Sequence, residues 1–323
     1  MMEKLLSFIY SLDDSYLMFP AFEKAFNKMI ENLETFRKTG VSQHLLITGE
    51  SGSGKTTLAN LFVQNYPRIS HPDGEIVPVL YAAVPPAATI AGTAEAILTQ
   101  LGDPAPSQGT VSVKTARAVD LARSCRVEML IIDEAQHIQD RGKNQTQYFV
   151  GDWLKAFMDA LKTPVTMMGL PRAHHLLHVN EQLRRRFTRT LKLAAGSGKN
   201  EANEAESLEL FTSLVKSLPV KLERDPYTWG EMGLRLHFAT GSRIAYVKLL
   251  LIGAVENLIQ MGDSALRVTH LEHGFITHIW SDGMKELNPF HSAFAFRALD
   301  HVGEPFHRQD VEINLSSRKR KKI

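Results

Sequence analysis

Apolar positions alternate between two spacings over the first two thirds of the chain. Phe22, Phe26, Ile30 and Leu33 recur at helical intervals, predicting an amphipathic helix over residues 20–39 that Gly40 ends. A short apolar run at 44–48 then predicts a strand, followed by a glycine-rich loop and a helix over 56–65. The same alternation continues with a strand at 77–84, a helix at 89–101, a Gly/Pro/Ser-rich loop at 102–109 with a further helix after it, and a strand at 128–133. Phe149, Trp153, Phe157 and Leu161 repeat every four residues on one helix face, before strands at 164–168 and 190–193. Strands and helices in this order predict an α/β fold, with a mainly parallel sheet covered by helices on both faces.

Beyond residue 203 the strand signal stops. Helices are expected over 205–218, 227–239, 242–261 and 269–281, which together read as a small helical lid. The segment AGSGKN at 195–200 is the natural linker. The expected division is a helical extension over 1–40, an αβα domain over 41–195, a lid over 200–290 and a C-terminal segment over 291–323 whose last stretch is expected to be mobile.

Composition adds boundaries to this picture. The chain has 323 residues, 44% hydrophobic and 22% charged, within the range of folded globular proteins. Cys125 is the single cysteine and cannot form an intramolecular disulfide, and MMEKLLSFIY lacks a basic n-region and a small-residue cleavage site, so the expected compartment is a reducing cytoplasm. The longest apolar runs, such as 249–255, fall short of the ~20 residues a bilayer span needs, and no membrane association is expected. The formal charge of +2 is misleading, because residues 318–322 are five consecutive cations and the rest of the chain is slightly acidic. Such a tail suits DNA phosphates or an acidic protein surface.

The strongest chemical signal is GESGSGKT at 49–56, which fits G-x-x-x-x-G-K-[ST] between a predicted strand and a predicted helix. Its glycines let the backbone N–H groups close around phosphate oxygens, and the helix N-terminus adds its dipole. Gly49, Ser51, Gly52, Ser53, Gly54 and Thr57 are therefore the candidate cradle of ATP, Lys55 the cation for its β- and γ-phosphates, and Thr56 a hydroxyl ligand of Mg²⁺. The strand LIIDE at 130–134 ends in two carboxylates. Asp133 stands where it can hold Mg²⁺ through its waters, and Glu134 where it can orient and deprotonate an attacking water, which favours hydrolysis. A chance glycine turn and a pair of strand-capping acids would explain each motif singly, but not both at these element boundaries.

Other positions leave alternatives open. Arg184, Arg185 and Arg186 follow the fourth strand, where one could reach a neighbouring subunit's γ-phosphate as an arginine finger, or lie on a solvated helix face, or meet nucleic-acid phosphates. Arg243 opens a lid helix and could report a bound triphosphate, or be a plain surface arginine. His174, His175 and His178 have metal-binding spacing but lack a third ligand nearby. Arg141 and Lys143 lie in a polar loop suited to DNA phosphates.

With these residues in place, the chain resembles the TnsC/TniB family of AAA+ transposition regulators, including those of CRISPR-associated transposons, over roughly residues 20–290. The resemblance is carried by GESGSGKT, by LIIDEAQHI at 130–138, by Val84-Pro85, by ILTQLGDP at 97–104 and by Asn288-Pro289-Phe290. It implies an AAA+ P-loop ATPase that assembles as a ring or helical filament on double-stranded DNA. It also implies partners: a target-selection protein, TniQ-like or a CRISPR effector complex, on one side, and transposase subunits on the other, with hydrolysis clearing the assembly. By the same resemblance Arg243 is a lid sensor and Arg186, then Arg184, the finger. One departure stands out: MMGL at 167–170 occupies the place where a polar sensor is usual, leaving Thr166 as a substitute. A missing sensor would slow turnover, which suits a molecular timer. The competing readings are a secretion-associated ATPase of the ExeA type and a nucleotide-gated scaffold with incidental hydrolysis.

Overall fold

A computed structural model describes residues 2–14, 16, 18–72, 74–86, 89–139, 144–194, 202–216 and 218–307. The chain begins with helices α1 (Met2–Asp14) and α2 (Pro20–Thr39), then β1 (Leu45–Thr48) and α3 (Lys55–Asn65). A hairpin of β2 (Ile69–His71) and β3 (Gly74–Ile76) precedes β4 (Val79–Ala83), α4 (Ile90–Gln100), α5 (Val111–Ser124) and β5 (Met129–Asp133). Next come α6 (Gln136–Gln139), α7 (Asn144–Leu161), β6 (Val165–Gly169), α8 (His174–Val179), α9 (Glu181–Arg186) and β7 (Arg189–Lys192). The remainder comprises α10 (Ala202–Val215), β8 (Lys221–Glu223), α11 (Trp229–Thr240), α12 (Ile244–Met261), β9 (Ala265–Arg267) and α13 (Val268–His278).

β4, β5, β6, β1 and β7 form one sheet in that order, parallel throughout. The alternation of side chains along each strand explains why these segments are apolar without interruption. Leu45, Ile47, Met129, Ile131 and Met168 face the layer that holds α2 and α3, where Phe22, Ala25, Met29, Leu33 and Phe62 are buried. Leu46, Leu80, Leu130, Ile132 and Met167 face the other layer, where Ile97, Ala118, Leu154 and Phe157 are buried. Register places Thr48 opposite Gly169 and Ala83 opposite Asp133, so the loops after β1, β5 and β6 open at the same sheet edge. In open α/β sheets that edge is where ligands bind.

α12 and α13 pack with Gly253 and Gly274 facing each other. A Cβ on Gly274 would lie 2.7 Å from the Ala254 amide nitrogen. The 18 residues of α12 are long and apolar enough to satisfy the length and composition of a membrane span, against the sequence expectation. Its apolar faces are instead occupied by protein: Val247, Leu250, Leu251, Val255 and Leu258 are buried in the core, and α11, α13 and α1 pack around it. α1 therefore contributes Leu5, Phe8 and Leu12 to this core. Residues 290–306 pack back on the same cluster through Phe290, Phe294, Leu299 and Phe306.

Two further departures are local. The β2–β3 hairpin was not expected, because its residues are exposed or half-buried and carry no apolar alternation. The region after 203 also contains strand: β8 and β9 pair in parallel, with Leu222 opposite Leu266. Three residues are too few to leave a periodic signal. Arg141, Lys143, the 195–200 linker and the basic tail lie outside the described residues.

Candidate active site

The glycine loop is shaped by contacts that only glycine tolerates. A Cβ at Gly49 would lie 2.6 Å from the Leu193 carbonyl oxygen, while the Gly49 N–H donates to the Gly169 carbonyl at 3.0 Å. Gly52 (φ +76°) and Gly54 (φ +92°) adopt left-handed backbone at the start of α3, which costs glycine nothing and is the kind of conformation from which anion-binding concavities of backbone N–H groups are built. The Lys55 ammonium donates to the Gly49 and Glu50 carbonyls at 2.9 and 3.0 Å, so it stands within the loop. Burial pushes its pKa down, and the nearby Glu134, Asp133 and Glu50 carboxylates pull against that shift. Ser53 Oγ is buried without a hydrogen-bond partner. A concave cradle holding a cation and an unmatched hydroxyl fits a phosphate chain.

Asp133 is fully buried. Its Oδ2 accepts from Thr56 Oγ1 at 2.8 Å and from the Tyr81 hydroxyl at 3.1 Å, and its Oδ1 accepts from the Glu134 N–H at 2.8 Å. Thr56 and Asp133 thus present two hard oxygen donors side by side, the ligand class that Mg²⁺ prefers. Burial, reinforced by the Asp133 carboxylate, raises the Tyr81 pKa well above the usual phenol, so Tyr81 remains a proton donor to Asp133. No local spacing announces Tyr81: it is 52 residues from Asp133 and meets it only because β4 lies beside β5.

Glu134 leaves β5 with φ +57°, a left-handed turn that is costly for a residue with a side chain. The Gln136 carboxamide donates to Glu134 Oε2 and accepts from the Leu170 N–H at 2.9 Å, and His137 Nε2 lies 3.9 Å from the same carboxylate oxygen. Thr166 does not serve as the missing sensor. It pairs with Leu45, three positions below the Gly169–Thr48 level, and its buried hydroxyl has no partner.

The start of α12 lies against the glycine loop. The Ala245 N–H donates to the Gly52 carbonyl at 3.1 Å, and Arg243 stands at the N-cap of α12, near enough to Lys55 to depress its pKa. The Arg243 guanidinium stacks on Tyr246 and Phe306, with centroids at 5.7 and 5.2 Å. Beside Gly54 and Thr57, a cavity of about 150 Å³ is walled by Phe19, Phe22, Ile244 and Lys248. Its aromatic and aliphatic walls suit a flat heterocyclic base attached to phosphates in the loop.

The arginines after β6 lie elsewhere. Arg186 pairs with Asp159 at 2.5 Å and stands by His44 at the start of β1, the end of the strand opposite the glycine loop. Arg185 pairs with Glu181, whereas Arg184 is exposed and makes no ion pair among the described residues. His175 and His178 have ring centroids 6.2 Å apart, and no group of three metal-ligating side chains occurs among the described residues.

The family profile described as Bacterial TniB protein matches residues 9–193, more than half of the chain. The chain belongs to the TniB family. The match ends at Leu193, one residue beyond β7, and so spans the whole parallel sheet of this TniB-family chain. No curated protein sequence matches it significantly. Among solved structures it is similar to the Aeropyrum pernix Orc1 protein in complex with DNA, with a TM-score of 0.57 and 15% identity over 80% of this chain and 65% of that one. It is also similar to Cdc6p from Pyrobaculum aerophilum, with a TM-score of 0.58 and 13% identity over 80% and 68% of the two chains. The Aeropyrum pernix ORC2 protein, solved in ADPNP-ADP complexes, gives 0.57 and 16% over 82% and 71%. At such identities the likeness establishes the fold, an AAA+ P-loop domain, and the chain spans just under two thirds of the Orc1 length.

Proposed function

We propose that this TniB-family chain is an ATPase whose oligomers, assembled on double-stranded DNA, link target-site selection to the transposase and are released by hydrolysis. The observation that carries the proposal is the Thr56–Asp133 hydrogen bond beside Lys55, with Glu134 following directly. Lys55 and the loop N–H groups hold the β- and γ-phosphates, and Thr56 and Asp133 would hold Mg²⁺, which would supply positive charge beside the phosphoryl group. Glu134 accepts a proton from water as its oxygen attacks the γ-phosphorus. The bond to the β–γ bridging oxygen breaks, giving ADP and phosphate. Arg243 engages the triphosphate from the lid, and Arg186 or Arg184 supplies a finger to the adjacent subunit. Arg141 and Lys143, by their charge in a polar sequence segment, are assigned to bind DNA phosphate. DNA binding draws support from the similar fold of the Aeropyrum pernix Orc1 protein, solved in complex with DNA, and the transposition role from the family.

The test is Glu134→Gln. The amide preserves size and removes basicity, so ATP should still bind while hydrolysis falls by roughly 10²-fold or more, the scale of a lost general base. The variant should also outlast the wild type on duplex DNA after dilution into ATP-free buffer. Equal lifetimes would show that hydrolysis does not govern release.

A further inference from the structure

We propose that Gln136 is the positioning residue of this site: its carboxamide fixes the Glu134 carboxylate and ties it to the glycine loop through the Gly169–Leu170 peptide. The inference rests on the hydrolytic reading above and adds the element that β6 lacks. Three observations converge. Gln136 is buried, with 1% of its surface exposed, and both ends of its amide are engaged, Nε2 by Glu134 and Oε1 by the Leu170 N–H. The same peptide unit accepts the Gly49 N–H at its carbonyl, so the loop's first residue and the Gln136 side chain are joined across one rigid plane. The space beside that plane is reserved: a Cβ at Gly169 would lie 2.7 Å from Gln136 Oε1.

The physical logic follows from the donor set. A buried carboxamide that loses one partner bears the full cost of the unsatisfied group, so Gln136 holds Glu134 in a narrow range of positions. A general base must stand within hydrogen-bond reach of its water, and small misplacements are expensive in rate. The polar side chain that β6 lacks at its C-terminal end is thus replaced by one arriving from the exit of β5. Movement of the Gly169–Leu170 peptide, driven from the loop, shifts the base directly.

The experiment compares full-length wild type with Gln136→Met, Gln136→Glu, Gly169→Ala and Glu134→Gln, measuring single-turnover ATP hydrolysis, steady-state kcat and KM, and affinity for a fluorescent ATP analogue. Gln136→Met removes both hydrogen bonds at similar volume. Gln136→Glu keeps the acceptor for Leu170 but sets a second carboxylate against Glu134. Both variants should bind the analogue within about threefold of wild type while kcat falls roughly ten- to a hundredfold. Gly169→Ala should shift kcat in the same direction by displacing the carboxamide. Because Gln136 acts through Glu134, Glu134→Gln combined with Gln136→Met should be no slower than Glu134→Gln alone. Wild-type or raised kcat in the Gln136 variants, parallel loss of binding and turnover, or a multiplied effect in the double variant would each overturn the role. If Glu134→Gln itself hydrolyses like wild type, the hydrolytic reading fails, and the positioning role with it.

Discussion

His44 shows how one side chain can couple stability to pH. Its Nδ1 accepts the Val165 N–H at 3.1 Å, which requires the neutral ring, and burial, aided by the Arg186 cation, lowers its pKa to about 4. A folded-state pKa below the unfolded value near 6.5 means that the unfolded chain binds the extra proton first. Stability should be complete above about pH 6.5 and decline as pH falls toward 4, by about 2 kcal/mol at pH 5. In His44→Asn a carbonyl oxygen can take the same N–H without titrating. Urea unfolding at pH 7.5 and pH 5 should therefore show a smaller loss in the variant than in wild type; equal losses would exclude His44 as the source. Burial is met differently at Asp133, whose carboxylate accepts hydrogen bonds from Thr56, Tyr81 and the Glu134 N–H.

At the scale of the element, the packing of α13 on α12 decides how α12 is held against the glycine loop. Gly274 lies in the middle of α13, where alanine would ordinarily gain about 1 kcal/mol of helix propensity. Against this, the added Cβ would meet the Ala254 nitrogen at 2.7 Å and the Leu250 oxygen at 2.8 Å, both backbone atoms that cannot rotate away. Overpacking of this kind costs about 1–3 kcal/mol, so after the propensity gain Gly274→Ala should be net destabilising by up to about 2 kcal/mol. Gly230, in the first turn of α11, has nothing within 4 Å of its added Cβ, and Gly230→Ala should be neutral or mildly stabilising. Chemical denaturation that ranked the two variants the other way would refute the close-packing account. The contact matters because α12 carries Arg243 and Ala245 to the glycine loop.

For the whole molecule, the separation of the α9 arginines from their own glycine loop is the decisive geometry. Arg186 cannot serve the phosphate site of its own chain from the far end of β1, but a neighbouring copy could receive it. Its ion pair with Asp159 is half-exposed on both sides and so worth less than about 1 kcal/mol, little enough for a γ-phosphate to displace. Arg186→Ala should bind ATP and fail to hydrolyse it. Mixing it with Lys55→Ala, which keeps the arginine but cannot hold phosphate, should restore turnover in mixed oligomers. Failure of every mixing ratio to restore it would argue against action between subunits, and Arg184→Ala in the same assay shows which of the two arginines reaches across.

The glycine loop, the two carboxylates at the end of β5 and the parallel α/β order were legible in the sequence because each depends on local rules. An uninterrupted apolar strand, a loop needing left-handed glycines and a helix start must occur within a dozen residues, and GESGSGKT after Leu45–Thr48 satisfies all three. Tertiary structure alone decided the rest. Tyr81 reaches Asp133, Gln136 reaches Leu170 and Phe306 reaches Arg243 across 52, 34 and 63 residues of chain, distances at which neither helical nor strand periodicity carries information. The end of β6, Met167-Met168-Gly169, carries no polar side chain, and the pattern along one strand holds no information about what a neighbouring element brings beside it. Gln136, just past β5, reaches the Gly169–Leu170 peptide because β5 and β6 are hydrogen-bonded neighbours and Gly169 has no side chain to stand in its way.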